Sequence, residues 1–253
     1  MSLAIKKIFP NFYRITKNIT NQIPMKVSLW NKKSYSFNFR IYKMLKLWNQ
    51  GSLKEESDFA YEHYNGGDFI DVGSFSCFYS FLLSPKAQDN DNFISCEPDP
   101  KIRSDALDNL SILKKNFQKI NYSLITDPVG NEQNVGIAHD QWGHPCYLDL
   151  KKIEIEKRKN IKILKSSSVD KLVDEMSLKP TFIKIDTEGS ELDILEGMKK
   201  TIKNYKPKIL LEKHPTMIPK TISIENIDSY LKDNNYKPKM INKNDLAIRE
   251  IWE

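Results

Sequence analysis

FIDVGSFSCFYS, residues 69–80, is a short apolar run that ends on an acid, turns through glycine and continues into a hydroxyl-rich aromatic segment. Phe69, Ile70 and Val72 favour a strand, and the Gly66-Gly67 break and Gly73 bracket them, as for a buried strand of a parallel sheet. Asp71 and Gly73 then fall at the carboxyl end of that strand, where open α/β sheets bind their ligands. The stretch reads as first strand, ligand loop and first helix of a nucleotide-type fold.

Working outward, Ser52 and Glu55 have capping-box spacing, which predicts a helix running up to Gly66. Ahead of it, residues 27–38 alternate apolar and polar around Asn31-Lys32-Lys33 and predict a hairpin. Phe78, Phe81 and Leu82 form one face of a short helix that stops near Ser84-Pro85. A second strand, 93–96, ends at Glu97-Pro98, and Asp99-Pro100 reads as N-cap and first residue of a helix carrying Ile102, Ala106, Leu107, Leu110 and Leu113. A third strand, 122–125, closes at Thr126-Asp127-Pro128.

Two weak strands, 135–138 and 146–150, enclose His139, Trp142 and His144, a hairpin insertion with a polar, aromatic tip set within residues 132–165. Ser168 caps a helix with Val169, Leu172, Val173 and Met176 at helical spacing. TFIKIDTEGSELDILEG, residues 181–197, repeats the first pattern: an apolar strand stops at Asp186, and an acidic turn with Gly189 opens a helix. A fifth strand, 208–212, a helix over 224–231 and a terminal hairpin, 236–241 with 246–252, complete the chain.

Alternating strands and helices predict a mostly parallel sheet with helices on both faces, and the last hairpin adds an antiparallel pair. In this order of elements the sequence resembles the class I S-adenosylmethionine-dependent methyltransferase fold, Rossmann-like and seven-stranded. Within it, residues 52–212, and FIKIDTEGSELDILEG most sharply, resemble the FkbM family of methyltransferases. The division implied is an N-terminal extension over 1–51 and a methyltransferase domain over 52–253. The resemblance implies S-adenosylmethionine as cofactor and O-methylation of a sugar, glycan or related small metabolite.

The residues suit that ligand chemically. Asp71, Gly73, Ser74 and Phe75 offer a carboxylate and close backbone approach to its amino-acid portion. Glu97, with Pro98, stands where a second-strand acid reaches ribose hydroxyls. Asp127 and Asp186 end the next strands of the same edge. Where the family loop reads roughly DVGANxGxxS, this chain has Phe75 for the asparagine and Cys77 for the second glycine. A Cβ at Cys77 is expected to narrow the backbone's approach to the ligand or to force a different turn.

Methyl transfer to a hydroxyl needs a group to take the proton, and either His214, after the fifth strand, or Asp186 with Glu188 is placed for it. His139, Trp142 and His144 are assigned to the acceptor. Glu191 is left to helix-dipole stabilisation. No metal ligands are assigned, since no His-rich set accompanies the acids, although clustered carboxylates leave a divalent cation open. The alternative from another class is a catalytically inactive binding protein that keeps the fold; an NAD-dependent oxidoreductase is disfavoured because the loop lacks the three-glycine fingerprint.

The net charge of +6 is spread along the chain without a dense basic block, so nucleic acid is not an expected partner. No apolar stretch is long enough for a membrane span. Cys77, Cys96 and Cys146 make no CxxC pair or even set, which favours free thiols and a reducing, cytoplasmic setting.

Overall fold

The computed structural model describes residues 23–139, 145–149, 163–217, 223–244 and 246–253. Its centre is a seven-stranded sheet built from β3 (Asp68–Val72), β4 (Asn92–Cys96), β5 (Asn121–Ile125), β11 (Pro180–Ile185), β12 (Lys208–Lys213), β13 (Pro238–Lys243) and β14 (Ile248–Trp252). The strands lie in the order β13-β14-β12-β11-β3-β4-β5. β3 pairs in parallel with both β4 and β11, and β14 runs antiparallel to both β12 and β13. The chain therefore moves outward from β3 to β5, then returns to place β11 on the other side of β3. The crevice at such a reversal is where open sheets bind ligands.

Helices cover both faces. On one lie α1 (Phe39–Trp48), α2 (Gly51–His63), α3 (Phe78–Leu83) and α4 (Pro100–Asn116); on the other lie α5 (Val169–Glu175), α6 (Glu191–Glu196), α7 (Lys199–Tyr205) and α8 (Ile224–Asp233). Alternate strand residues feed the two cores. Phe69, Phe93, Phe182, Leu210 and Ile251 join the first, and Ile70, Ile94, Ile183, Ile209 and Trp252 join the second.

The hairpin of β1 (Pro24–Ser28) and β2 (Ser34–Asn38) packs Val27 and Phe37 into the first core, together with Ile41 and Leu45 of α1. Short strands β6 (Val129–Gly130) and β10 (Ser167–Ser168) pair in parallel, and β7 (Asn134–His139), β8 (Pro145–Asp149) and β9 (Ile163–Lys165) form a separate antiparallel sheet. Trp142 and His144 lie outside the described residues, as do residues 1–22 and the side chain of His139.

Several expectations change in detail. The Ser52–Glu55 capping box is not used: α2 begins at Gly51 after Gln50, with no side-chain cap. Helix α1 has no counterpart in the sequence reading, although Asn38 caps it by accepting from the amide of Ile41. Leu107 faces solvent rather than the core. The single helix expected after Gly189 is divided into α6 and α7 around Gly197, which passes so close to β6 that a Cβ there would lie 1.9 Å from the carbonyl oxygen of Gly130.

Candidate active site

At the carboxyl ends of β3, β4 and β11 the structure forms a cavity of about 260 Å³. Its floor is the loop after β3. Gly73 and Ser74 both donate their amides to the carbonyl of Cys96, at 3.1 and 3.0 Å, and the amide of Asp186 donates to Val72 at 3.0 Å. The ends of β4 and β11 are thereby drawn against the loop. Gly73 has φ +81°, and a Cβ on it would stand 1.7 Å from the carbonyl oxygen of Asp186, so only glycine fits between these strand ends.

The loop is also held from outside. Asn109 of α4 donates to the carbonyl of Ser76 at 2.6 Å and accepts from Arg40 of α1 at 2.6 Å. Phe75 (φ 47°) and Cys77 (φ 60°) both take left-handed conformations that glycine or asparagine would adopt more readily. The expected narrowing by Cys77 does not occur: its side chain is fully buried in the α1–α4 core and is not part of the cavity wall. Phe75, half exposed, forms the lip instead.

Of the residues singled out from sequence, Gly73, Ser74, Phe75, Glu97, Pro98, Asp186 and Glu188 line this cavity. Asp71 is completely buried behind them, 4.0 Å from the Lys184 ammonium, and Asp127 is exposed and contributes nothing to the wall. On the β4 side, Glu97 accepts from the amide of Asp99 at 2.8 Å and from that of Phe75. Burial nevertheless pushes its carboxyl up to about 7.

On the β11 side lies a network that alternation along the strands produces. Asp71 on β3, Lys184 on β11, Glu212 on β12 and Arg249 on β14 occupy like-facing positions of neighbouring strands, with Lys184 opposite Asp71 and Glu212 opposite Arg249. Helices α2 and α3 close over them with Glu56 and Tyr79, which share a hydrogen bond. Lys184 bonds Asp186 at 2.9 Å and lies 4.9 Å from the Tyr79 ring centre, and Arg249 pairs with Glu56 at 2.9 Å and with Glu212.

Burial acts first on each of these groups. It raises Asp71 to about 6 and Glu56 to about 7, the latter helped by the charge of Glu212. For Asp186 the charges of Lys184 and then His214 outweigh burial and hold the carboxyl below its ordinary range. Lys184 stays protonated for the reciprocal reason, with Asp186, Asp71 and Glu56 around it.

His214 enters from the residue after β12. Its Nδ1 is 3.0 Å from Glu191 Oε1, and its Nε2 is 3.6 Å from one oxygen each of Asp186, Glu188 and Glu212. Burial works against its charge, but the Glu191 hydrogen bond and the nearby Glu212 and Asp186 carboxylates raise it to about 11. Glu191, assigned from sequence to helix-dipole stabilisation, is a fully buried partner of His214.

The sequence reading also missed Trp48, Phe78, Tyr79, Ile102 and Lys184 in the cavity wall. Trp48 stacks on Phe78 with ring centres 4.4 Å apart and planes at 15°. For Lys184 a signal exists: it interrupts the apolar run of Phe182, Ile183 and Ile185.

Comparison with known proteins bears on the family and the fold. No curated protein sequence matches the chain. Among solved structures, a methyltransferase FkbM of Methylobacillus flagellatus KT superposes with TM-score 0.50 at 16% identity, over 75% of this chain and 44% of that one. This chain thus spans less than half the length of that relative. A precorrin-6y C5,15-methyltransferase of Geobacter metallireducens GS-15 gives TM-score 0.45 at 14% identity, over 79% of this chain and 86% of that one. The methyltransferase FkbM domain pattern matches residues 62–238, from the end of α2 to the first residue of β13, and the chain belongs to that family.

Proposed function

We propose that the protein is an S-adenosylmethionine-dependent O-methyltransferase acting on a hydroxyl of a sugar, glycan or related small metabolite. One observation supports this above all: a single cavity at the sheet's reversal point has the buried carboxylate of Glu97 at one side, Asp186 with Glu188 at the other, and the obligatory Gly73 between them.

The residues present fit the cofactor. Glu97 keeps lone pairs for a ribose diol, with Pro98, Ile102, Phe75, Pro128 and Val129 as an apolar slot for an adenine ring. Ser74 Oγ and Thr187 Oγ1 are buried without a hydrogen-bond partner at the cavity, and both oxygens of Asp71 are likewise unpartnered beneath the loop. Such groups suit the ammonium and carboxylate of an amino acid. When bound, the cofactor supplies an electrophilic methyl group on a sulfonium.

The chain's own part is to hold the acceptor oxygen in line and remove its proton. Between the two choices left by the sequence, the surroundings favour the carboxylates. His214 is kept as imidazolium by the acids around it, whereas Asp186 is kept ionised and reaches the cavity. Asp186, with Glu188 beside it, receives the proton, and His214 positions both. The stacked Trp48–Phe78 pair gives the acceptor an apolar face to lie on, as sugar rings do on aromatic side chains. His139, Trp142 and His144 of the insertion remain assigned to the acceptor, and Cys77 and Cys96, free and buried, suit a cytoplasmic setting.

The test is transfer of isotopically labelled methyl from S-adenosylmethionine to a panel of free sugars, glycosides and short RNA oligomers. Label is expected as an alkali-stable methyl ether on a saccharide hydroxyl. Label confined to RNA, or to nitrogen, counts against the proposal.

A further inference from the structure

The geometry points to a divalent-cation site formed by His214 Nε2 with the carboxylates of Asp186 and Glu212, at the foot of the cavity, with Glu188 beside it.

Three features converge. First, Nε2 faces one oxygen from each of three carboxylates, all at 3.6 Å. That is too long for hydrogen bonds. It is close to the spacing of about 3.0–3.4 Å between ligand atoms that share one ion with bonds near 2.1 Å. Asp186, Glu212 and His214 can in fact each bring a ligand atom within 4.8 Å of the others.

Second, the other ring nitrogen is already engaged. Nδ1 is 3.0 Å from Glu191 Oε1, and the same oxygen accepts from the amide of Gly189 at 3.0 Å, so both the carboxylate and the ring are fixed in orientation. A carboxylate on the remote nitrogen is the arrangement that fixes the tautomer of metal-binding histidines and raises their basicity. Glu191 is fully buried and its Oε2 has no hydrogen-bond partner, so nothing but this ring and the turn explains its position.

Third, the charges leave room for a cation. Among the described residues, Glu56, Asp71, Asp186, Glu188, Glu191 and Glu212 gather around Lys184 on β11, Arg249 on β14 and the His214 ring. Tyr79 above them adds no charge. Glu188 is itself held at φ 56°, a conformation disfavoured for a non-glycine residue, and it directs its carboxylate toward His214.

A bound ion would take the place of the Nε2 proton that the surrounding acids otherwise hold, and mixed imidazole and carboxylate ligands suit Mn²⁺, Fe²⁺ or Zn²⁺. Asp186 and Glu188 line the cavity whereas Glu212 and His214 do not, so the open positions of the ion would face an acceptor. There the ion would draw two neighbouring hydroxyls and lower the pKa of the one to be methylated; with the ion in place Asp186 would hold it, and the proton would pass to Glu188 beside Asp186. This role rests on the methyltransferase reading of the preceding subsection; the cation site itself does not.

Mn²⁺ binding to the EDTA-treated full chain, without cofactor, tests the site by electron paramagnetic resonance. One ion per chain is expected, with affinity reduced at least about tenfold in His214→Ala and in Glu212→Gln, and about tenfold in Glu191→Gln through loss of ring positioning. As a readout independent of the variants' folding, the parent is also read directly by ¹⁵N resonances of His214 with Zn²⁺ added. A metallated Nε2 with a protonated Nδ1 upholds the site. Two protonated nitrogens at saturating Zn²⁺, or Mn²⁺ binding equal in parent and His214→Ala, overturns it. Bound Mn²⁺ together with no methyl transfer upholds the site and tells against the O-methyltransferase reading alone.

Discussion

Replacing Lys184 by methionine is expected to destabilise the protein by about 3–5 kcal/mol. For a chain of this size that corresponds to a fall in melting temperature of roughly 6–20 °C. Lys184 is buried, with its ammonium 2.9 Å from Asp186 and 4.0 Å from Asp71. Methionine fills much the same space but leaves Asp71 without the charge that faces it and Asp186 with His214 alone at close range, and Asp71 has no hydrogen bond to fall back on. Removing one partner of a buried pair costs far more than the pair contributes, because the remaining charge stays out of water. The loss should reach the cavity as well, since Asp186 ends β11 beside Gly73. Thermal unfolding followed by circular dichroism measures the effect; a change below about 1 kcal/mol would mean that Lys184 is solvated or dispensable.

The second large effect is kinetic. Asp186→Asn keeps the size and shape of the side chain and removes its charge. It should lower kcat for methyl transfer by about 10²- to 10⁴-fold, the usual contribution of a positioned proton acceptor. The KM for the cofactor should change much less, because the opposite side of the cavity, with Glu97, is untouched. Steady-state kinetics separates the two parameters. Equal loss in KM with kcat preserved would place Asp186 in cofactor binding rather than in the chemistry.

Much of the architecture was legible because each strand stops at a chemically marked residue. Asp71, Glu97 and Asp186 each follow an apolar run, and each falls at the same edge of the sheet. Gly73 carries the rest of that information, being needed where the chain crosses Asp186; the break at Gly197, where the chain passes β6, has no such marker. What could not be read was the assembly of side chains from distant segments. Trp48 reaches the cavity only because α1 packs on the loop through Arg40 and Asn109. His214 could be placed at a strand end, but not among four acids that come from the turn after β11, the first residue of α6 and β12 itself. Glu191 looked like an ordinary first-turn acid because a helix N-terminus and a buried partner favour the same residue type. Cys77 looked obstructive because the usual glycine at that position suggests open space, whereas here the left-handed backbone turns its side chain into the core.

The central claim, that the cavity between Glu97 and Asp186 holds S-adenosylmethionine, is tested most directly by titration calorimetry of the full chain with that compound at two pH values. The carboxyl of Glu97 sits at about 7, so it is ionised above that pH and protonated below it. Two ribose hydroxyls donate to the ionised form, so affinity should fall as pH drops through 7. One site per chain is expected, with Kd between about 1 µM and 1 mM. Binding should be roughly three- to tenfold weaker at pH 6 than at pH 8, and this difference should be lost in Glu97→Gln. A folded protein that binds no S-adenosylmethionine at either pH would contradict the claim.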